Sequence, residues 1–321
     1  MDSERKILSE VAKLYYENDQ TQAEIASRFG ISRPKVSRML AEARARGIVK
    51  IFIDSGEDGM SEMERRLFSA FNLKGVRVAS VPEDDQELAV QLTAQLGAQY
   101  LSTFLNPGDR IGVGWGWTLC EMTRSFPTLS LPESLIVQLT GSVDNAKSRS
   151  YAGEIVGNLS RKVGAKAAYT LPCPAMVDSA IIFDILRHDA KLRSMLELGS
   201  ACNKLFVNIA LPDEGSCLYQ AGYLGDKDLA MLAERNAVGS ICCRFFDERG
   251  EVCDQELDGR TVGIHIDEIR KAECVMACIS GYKKARAVYC ALRANLLDVL
   301  VIDSLTAARV LELVEAEKKQ S

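Results

Sequence analysis

At 321 residues the chain exceeds one ordinary domain and fits a small plus a large domain, or two comparable ones. Hydrophobic residues at 47% and charged residues at 26% are values of a globular protein and exclude a disordered or collagen-like chain. No apolar run reaches the roughly 18 residues of a membrane span, and the charged start MDSERKIL lacks the apolar core of a secretory signal, so a cytoplasmic protein with no membrane partner is expected. Ten cysteines without regular spacing read as reduced, mostly buried thiols, with the adjacent Cys242 and Cys243 facing opposite ways on a strand. No CxxC pair occurs and only His188 and His265 are available, so neither metal nor cofactor is expected. The net charge of −5 is unevenly placed. From Arg28 to Lys50 seven cations face the single anion Glu42, a local +6 that leaves −11 for the remainder. Such a patch attracts phosphates to one place on a protein whose other surface repels them.

In chain order, Ile7, Leu8, Val11, Leu14 and Tyr15 recur at helical spacing and predict a packing helix over Ser3 to Tyr16. In the following TQAEIASRFGISRPKVSRML, Thr21 and Glu24 have the spacing of a capping box, and Ile25, Ala26 and Phe29 form an inner side. Gly30 sits where a short turn needs positive φ, Ser32 can cap the next helix, and Pro34 falls in its first turn. Val36, Met39, Leu40 and Ala43 point inward, leaving Arg33, Lys35, Ser37, Arg38 and Arg44 outward or lateral. This is a helix-turn-helix whose second helix enters a major groove of double-stranded DNA; the plainer alternative is a helical hairpin with a solvated basic face. After Gly47, IVKIFID alternates as a strand, the wing of a winged helix, from which Lys50 could reach backbone phosphate. The expected DNA-contacting set is Thr21, Gln22, Ser32, Arg33, Lys35, Ser37, Arg38, Arg44 and Lys50, with Arg33, Lys35, Ser37 and Arg38 the candidates for reading bases.

SGEDGMS, Ser55 to Ser61, breaks the chain, so residues 1–55 form a DNA-binding domain and 56–321 a second, larger one. From Met63 onward helical and strand patterns alternate, from MERRLFSAFNL and VRVASV to LDVLVID and TAARVLELVEAE. The expectation is an α/β domain of parallel βαβ units with helices on both faces and a ligand beyond the carboxyl ends of the strands.

Three segments there suit an anionic ligand. In GDRIGVGWGWTL a strand ends at Gly114 and Gly116 before Thr118 opens a helix, a phosphate cradle or a tight turn packed by Trp115 and Trp117. In VQLTGS a strand runs into Thr140, Gly141 and Ser142. In VMACISGYKKARAVYCAL a buried strand ends at Ser280 and Gly281, with Lys283 and Lys284 in the first turn of a helix, where a cation implies a counter-anion; surface lysines on an amphipathic helix are the alternative.

These segments, together with LPCPAMVDS, AVGSICCRFFDERG and LDVLVIDSLTAARVL, run in order along nearly the whole chain, which resembles the SorC/DeoR-type sugar-binding transcriptional regulators. The resemblance implies a winged helix-turn-helix joined to an effector domain related in fold to sugar-phosphate isomerases and deaminases. It further implies a homotetramer, a dimer of dimers, that binds operator DNA as a repressor under control of a phosphorylated sugar or polyol. Carried over residue by residue, its effector site falls on Gly114, Trp115, Gly116, Thr118, Thr140, Gly141, Ser142, Gly281 and Lys284, with Asp247 of RFFD as a further motif position. The chain departs from the family pattern at Ser280-Gly281, at Ser240 in AVGS, and at Arg293-Ala294-Asn295. Two other readings stand beside the regulator: an isomerase- or deaminase-like enzyme with an accessory DNA-binding domain, and a C-terminal scaffold for oligomerisation only.

Overall fold

The structure is a computed structural model describing residues 2–16, 18, 20–45, 60–83, 85–143 and 151–320. The chain divides into two compact units, Met1–Gly59 and Met60–Ser321.

In the first unit α1 (Asp2–Tyr16), α2 (Gln22–Phe29) and α3 (Arg33–Ala45) enclose a core of Leu8, Val11, Leu14, Ile25, Ala26, Val36, Leu40 and Ala43. α2 opens with the capping box: the Thr21 hydroxyl accepts from the Glu24 amide at 3.3 Å and the Glu24 carboxylate accepts from the Thr21 amide at 2.7 Å. α2 closes at Gly30 in the left-handed region, φ 63°. A cap of this kind is worth about 1 kcal/mol and fixes where the turn between the two helices falls. Ile7, grouped with the inward face by its spacing, is 45% exposed, at the edge of the apolar stripe. The segment IVKIFID, with the wing expected there, lies outside the described residues.

The second unit runs α4 (Glu62–Phe71), β1 (Gly75–Ala79), α5 (Gln86–Ser102), β2 (Arg110–Val113), α6 (Trp117–Arg124), β3 (Leu135–Gln138), α7 (Ala152–Val163) and β4 (Ala167–Tyr169). It continues with α8 (Ala180–Leu186), α9 (Ala190–Ser200), β5 (Lys204–Val207), β6 (Ile209–Ala210), α10 (Cys217–Gln220), α11 (Asp226–Glu234), β7 (Gly239–Ile241) and β8 (Arg244–Phe246). Last come α12 (Gln255–Arg260), α13 (Ile266–Lys271), β9 (Cys274–Ile279), α14 (Ala285–Arg293), β10 (Val299–Asp303) and α15 (Ser304–Gln320).

Seven strands form one parallel sheet in the order β1-β10-β9-β5-β2-β3-β4. Its central strands are apolar between their ends, and β9 along its whole length, because both faces are covered. Along β9, Val275, Ala277 and Ile279 enter one core while Cys274, Met276 and Cys278 enter the other. Residues of α5, α6 and α7 build the second core, and residues of α4, α13, α14 and α15 the first. The chain steps from β2 outward through β3 to β4, then returns to β5 on the other side of β2. Connections therefore leave β2 and β5 in opposite directions, and the divergence opens a crevice at their carboxyl ends.

A small antiparallel sheet, β6-β7-β8, was not anticipated by the alternation of helices and parallel strands. Cys242 and Cys243 do not alternate along a strand as expected: they form the two-residue turn between β7 and β8, with φ 48° and 64°. Two positive φ values are what a tight hairpin with the right strand twist demands, and here non-glycine residues supply them.

Candidate functional site

In the first unit Ser32, Arg33, Lys35, Ser37 and Arg38 are exposed, all at the start of α3 or on its outer side, and Thr21 is exposed ahead of α2. Gln22, the first residue of α2, is half-buried. Thr21 is also engaged locally, its hydroxyl lying 2.8 Å from the Glu24 carboxylate. The side chain of Arg44, and Lys50 entirely, lie outside the described residues.

In the second unit a cavity of about 680 Å³ occupies the crevice beyond β2 and β5. Its walls come from the loops after β2 (Gly114 to Thr118), β3 (Thr140), β5 (Asn208) and β9 (Ser280 to Lys284). The segment from Leu211 to Leu218 and the Cys242-Cys243 turn complete it. The three segments singled out by sequence are thus brought to one place.

The loop after β2 is held by its neighbours. The Gly114 amide donates to the Phe206 carbonyl at 2.8 Å, and the Trp115 indole donates to the Gly141 carbonyl at 2.9 Å, tying this loop to the one after β3. Gly116 caps α6 with φ 140°, a conformation that favours glycine, and a Cβ there would stand 2.6 Å from Asn208 Nδ2. The first-turn amides of α6 that follow have no acceptor one turn back and, with the helix dipole, suit an anion. Gly141 serves packing instead: a Cβ on it would meet the Pro174 carbonyl oxygen at 2.1 Å.

On the opposite wall β9 ends just before Ser280, and a 3₁₀ turn, Tyr282–Lys284, precedes α14, so Lys284 stands before the helix and not inside its first turn. Asp303, buried at the end of β10, shapes this corner. Its Oδ2 accepts from the Gly281 amide at 2.9 Å and the Thr306 hydroxyl at 2.7 Å, and its Oδ1 from the Thr306 amide at 2.7 Å. The half-buried Lys284 ammonium is pushed below the ordinary lysine range by loss of solvent, against the opposing pull of the Cys278 and Cys217 thiols and the Asp213 and Asp303 carboxylates. A cation left short of compensation inside a cavity is prepared for an anion. Burial also pushes the Cys242 thiol up to about 12 and raises that of Cys243, so both line the site as neutral, unreactive groups.

Besides Gly141, which does not line the cavity, two further predicted residues fall elsewhere. Asp247 does not line the cavity; its Oδ1 accepts from the Arg249 and Glu251 amides at 2.8 and 3.0 Å and builds the turn after β8. Ser142 is also set apart, its hydroxyl accepting from Gln138 Nε2 at 3.0 Å. Sequence reasoning missed Asn208, Asp213 and Asp303, since a single polar residue after an apolar strand forms no motif. The run LDVLVID ending in an acid was the one available signal for Asp303.

A DNA-binding helical unit coupled to an α/β domain with an anion-ready cavity defines the class of ligand-responsive transcriptional regulators. The family described as "Putative sugar-binding domain" matches residues 57–312, and a winged helix-turn-helix DNA-binding family matches residues 2–50. The chain belongs to the sugar-binding transcriptional regulators of the SorC/DeoR type. The deoxyribonucleoside regulator of Bacillus subtilis (strain 168) is 29% identical over 308 residues, covering 96% of this chain and 98% of its own. The sorbitol operon regulator of Klebsiella pneumoniae is 26% identical over 309 residues, covering 96% and 98%. The crystal structure of the full-length Klebsiella protein, SorC, matches with a TM-score of 0.78 at 27% identity, again covering 96% and 98%.

Proposed function

We propose that residues 1–55 bind operator DNA and residues 56–321 bind a phosphorylated sugar or polyol and assemble the protein as a homotetramer, a dimer of dimers. The protein acts as a cytoplasmic repressor of a carbohydrate-utilisation operon. The observation that carries the effector reading is Lys284, undercompensated, in a cavity it shares with the amino end of α6. The effector's anionic group sits between that helix end and Lys284, and its remainder extends beneath the Cys242-Cys243 turn. Ligand binding controls DNA binding only through a difference in affinity between two arrangements of the protein.

The chain is read as a sensor and not as an isomerase or deaminase. Among the described residues lining the cavity, Asp213 is the one carboxylate and histidine is absent, which leaves neither a carboxylate pair nor an imidazole for proton transfer. Turnover of a sugar phosphate by the purified chain would revive the enzymatic reading.

Thermal unfolding across a panel of sugar and polyol phosphates, each beside its unphosphorylated form, tests the proposal. The effector at 100 times its Kd is expected to add about 2.7 kcal/mol of stability, its unphosphorylated form far less. A panel in which no phosphate raises the melting temperature returns the second unit to a scaffold. For the DNA unit, Arg38→Ala is expected to weaken operator binding about 10-fold or more, by about 1–3 kcal/mol, with an unchanged melting temperature; an unchanged affinity removes Arg38 from the reading surface.

A further inference from the structure

Two residues lining the cavity each carry a buried side-chain oxygen for which the described residues supply no hydrogen bond. Asn208 Oδ1 and Thr140 Oγ1 are both buried, and neither has a hydrogen-bond partner of proper geometry among the described residues; Thr140 has only a weak interaction with the Cys243 thiol. Buried polar groups are almost always paired, because an unpaired one forfeits its hydration for nothing. Here both belong to residues lining the same cavity, one following β5 and the other following β3, on either side of β2. The Asn208 amide stands over Gly116, where a Cβ would lie 2.6 Å from its Nδ2, and so beside the N-cap of α6, next to the amides proposed for the anionic group.

From this placement we infer that Asn208, with Thr140, reads a hydroxyl of the effector next to its anionic end. The carbonyl oxygen of an amide accepts and cannot donate, so its partner must bring an O–H or N–H. A sugar or polyol hydroxyl supplies the O–H and still has lone pairs for a donor such as Thr140. A site built to pair with a hydroxyl rejects an analogue lacking it far better than an apolar wall rejects an added one, because the protein's own groups are then left bare. This inference rests on the effector reading above and adds which part of the ligand is inspected.

The test compares the full chain with Asn208→Leu, similar in shape but without polar atoms, by thermal unfolding with inorganic phosphate, n-propyl phosphate, glycerol 3-phosphate, ribose 5-phosphate and sorbitol 6-phosphate. Without ligand, Asn208→Leu is expected to melt at or above the parent temperature, since a bare buried acceptor has been removed. With ligands, the parent is expected to favour a hydroxylated ester over n-propyl phosphate. The variant is expected to lose about 10–100-fold in affinity for that ester while keeping its response to n-propyl phosphate. Asn208→Asp, which keeps acceptors, is expected to retain the discrimination while weakening all the esters alike. A lower melting temperature of ligand-free Asn208→Leu would make Asn208 structural and overturn the inference, as would a parent that does not separate hydroxylated from propyl esters. If no phosphate shifts the parent at all, the effector reading fails instead. Unphosphorylated sorbitol and ribose then decide Asn208: a shift in the parent that the Leu variant loses upholds it, and no such shift overturns it.

Discussion

Replacing Arg244 with Met is expected to destabilise the second unit by about 3–5 kcal/mol and to lower its melting temperature by about 6–20 °C. The guanidinium is fully buried, and its nitrogens donate to four carbonyls of the segment from Asp258 to Ile264. Nε donates to the Ile264 carbonyl at 3.0 Å, Nη2 to the carbonyls of Thr261 and Gly263 at 3.0 and 2.8 Å, and Nη1 to the Asp258 carbonyl. Nη1 also pairs with Asp258 Oδ1 at 2.9 Å. Burial alone would raise the Asp258 carboxyl, but His265 and Arg244 together hold it below the ordinary range. Removing the cation therefore strands several carbonyls and a buried carboxylate at once. Arg244→Lys is expected to recover little of the loss, because an ammonium cannot reproduce the fork that reaches four carbonyls. Arg244 directly follows the Cys242-Cys243 turn, so the anchor also holds one wall of the cavity, and effector response is expected to fall with stability. Differential scanning calorimetry checks this; a melting temperature within about 2 °C of the parent, less than 1 kcal/mol on this scale, would mean the site collapses without cost.

Arg244 also shows where sequence reasoning stops. The first unit was legible because its signals are local: Thr21 and Glu24 lie three apart, Gly30 supplies its own φ, and the inward face of α3 follows from helical spacing. The parallel sheet was legible because strands covered on both faces must be largely apolar, as β9 is throughout and β10 is up to its final Asp303. The run ICCRFF defeated the same logic. It looks like one continuous strand, yet it is a hairpin whose turn residues lack the usual asparagine–glycine signal, and its arginine is buried by carbonyls some twenty residues further on. Asp247 looked like a ligand residue and proved to serve nearby amides, a use of aspartate that motif matching cannot separate from binding. Asn208 left no pattern at all: its meaning arises only when the strand order sets β5 beside β2 and brings it to Gly116.

Replacing Lys284 with Met is expected to reduce affinity for a phosphorylated effector about 30-fold or more, the loss of about 2–5 kcal/mol that accompanies removal of one partner of a buried charge pair, with DNA binding by the effector-free protein unchanged. Ligand-free stability is expected to hold or rise. The ammonium has lost solvent against incomplete compensation from Asp213 and from Asp303, whose oxygens are already taken by Gly281 and Thr306. The direction of that shift also sets a pH dependence. A lysine whose folded value lies below its unfolded one costs stability while it is charged, and the cost is relieved as pH rises through the depressed folded value towards the unfolded one. An anionic effector acts oppositely: it favours the charged ammonium, takes up a proton where Lys284 is partly neutral, and binds more weakly as pH rises through the depressed value. In the parent, affinity should therefore begin to fall at a lower pH than an ordinary lysine would allow. Lys284→Arg, whose guanidinium stays charged throughout, should abolish that fall even if its bulk lowers the affinity overall. Calorimetric titration across this alkaline range separates the possibilities. If Lys284→Met binds the effector as the parent does, or the parent's affinity stays flat with pH, the phosphate is held by the amides of α6 alone, and the charge of Lys284 is met by Asp213 across an otherwise uninvolved corner of the cavity.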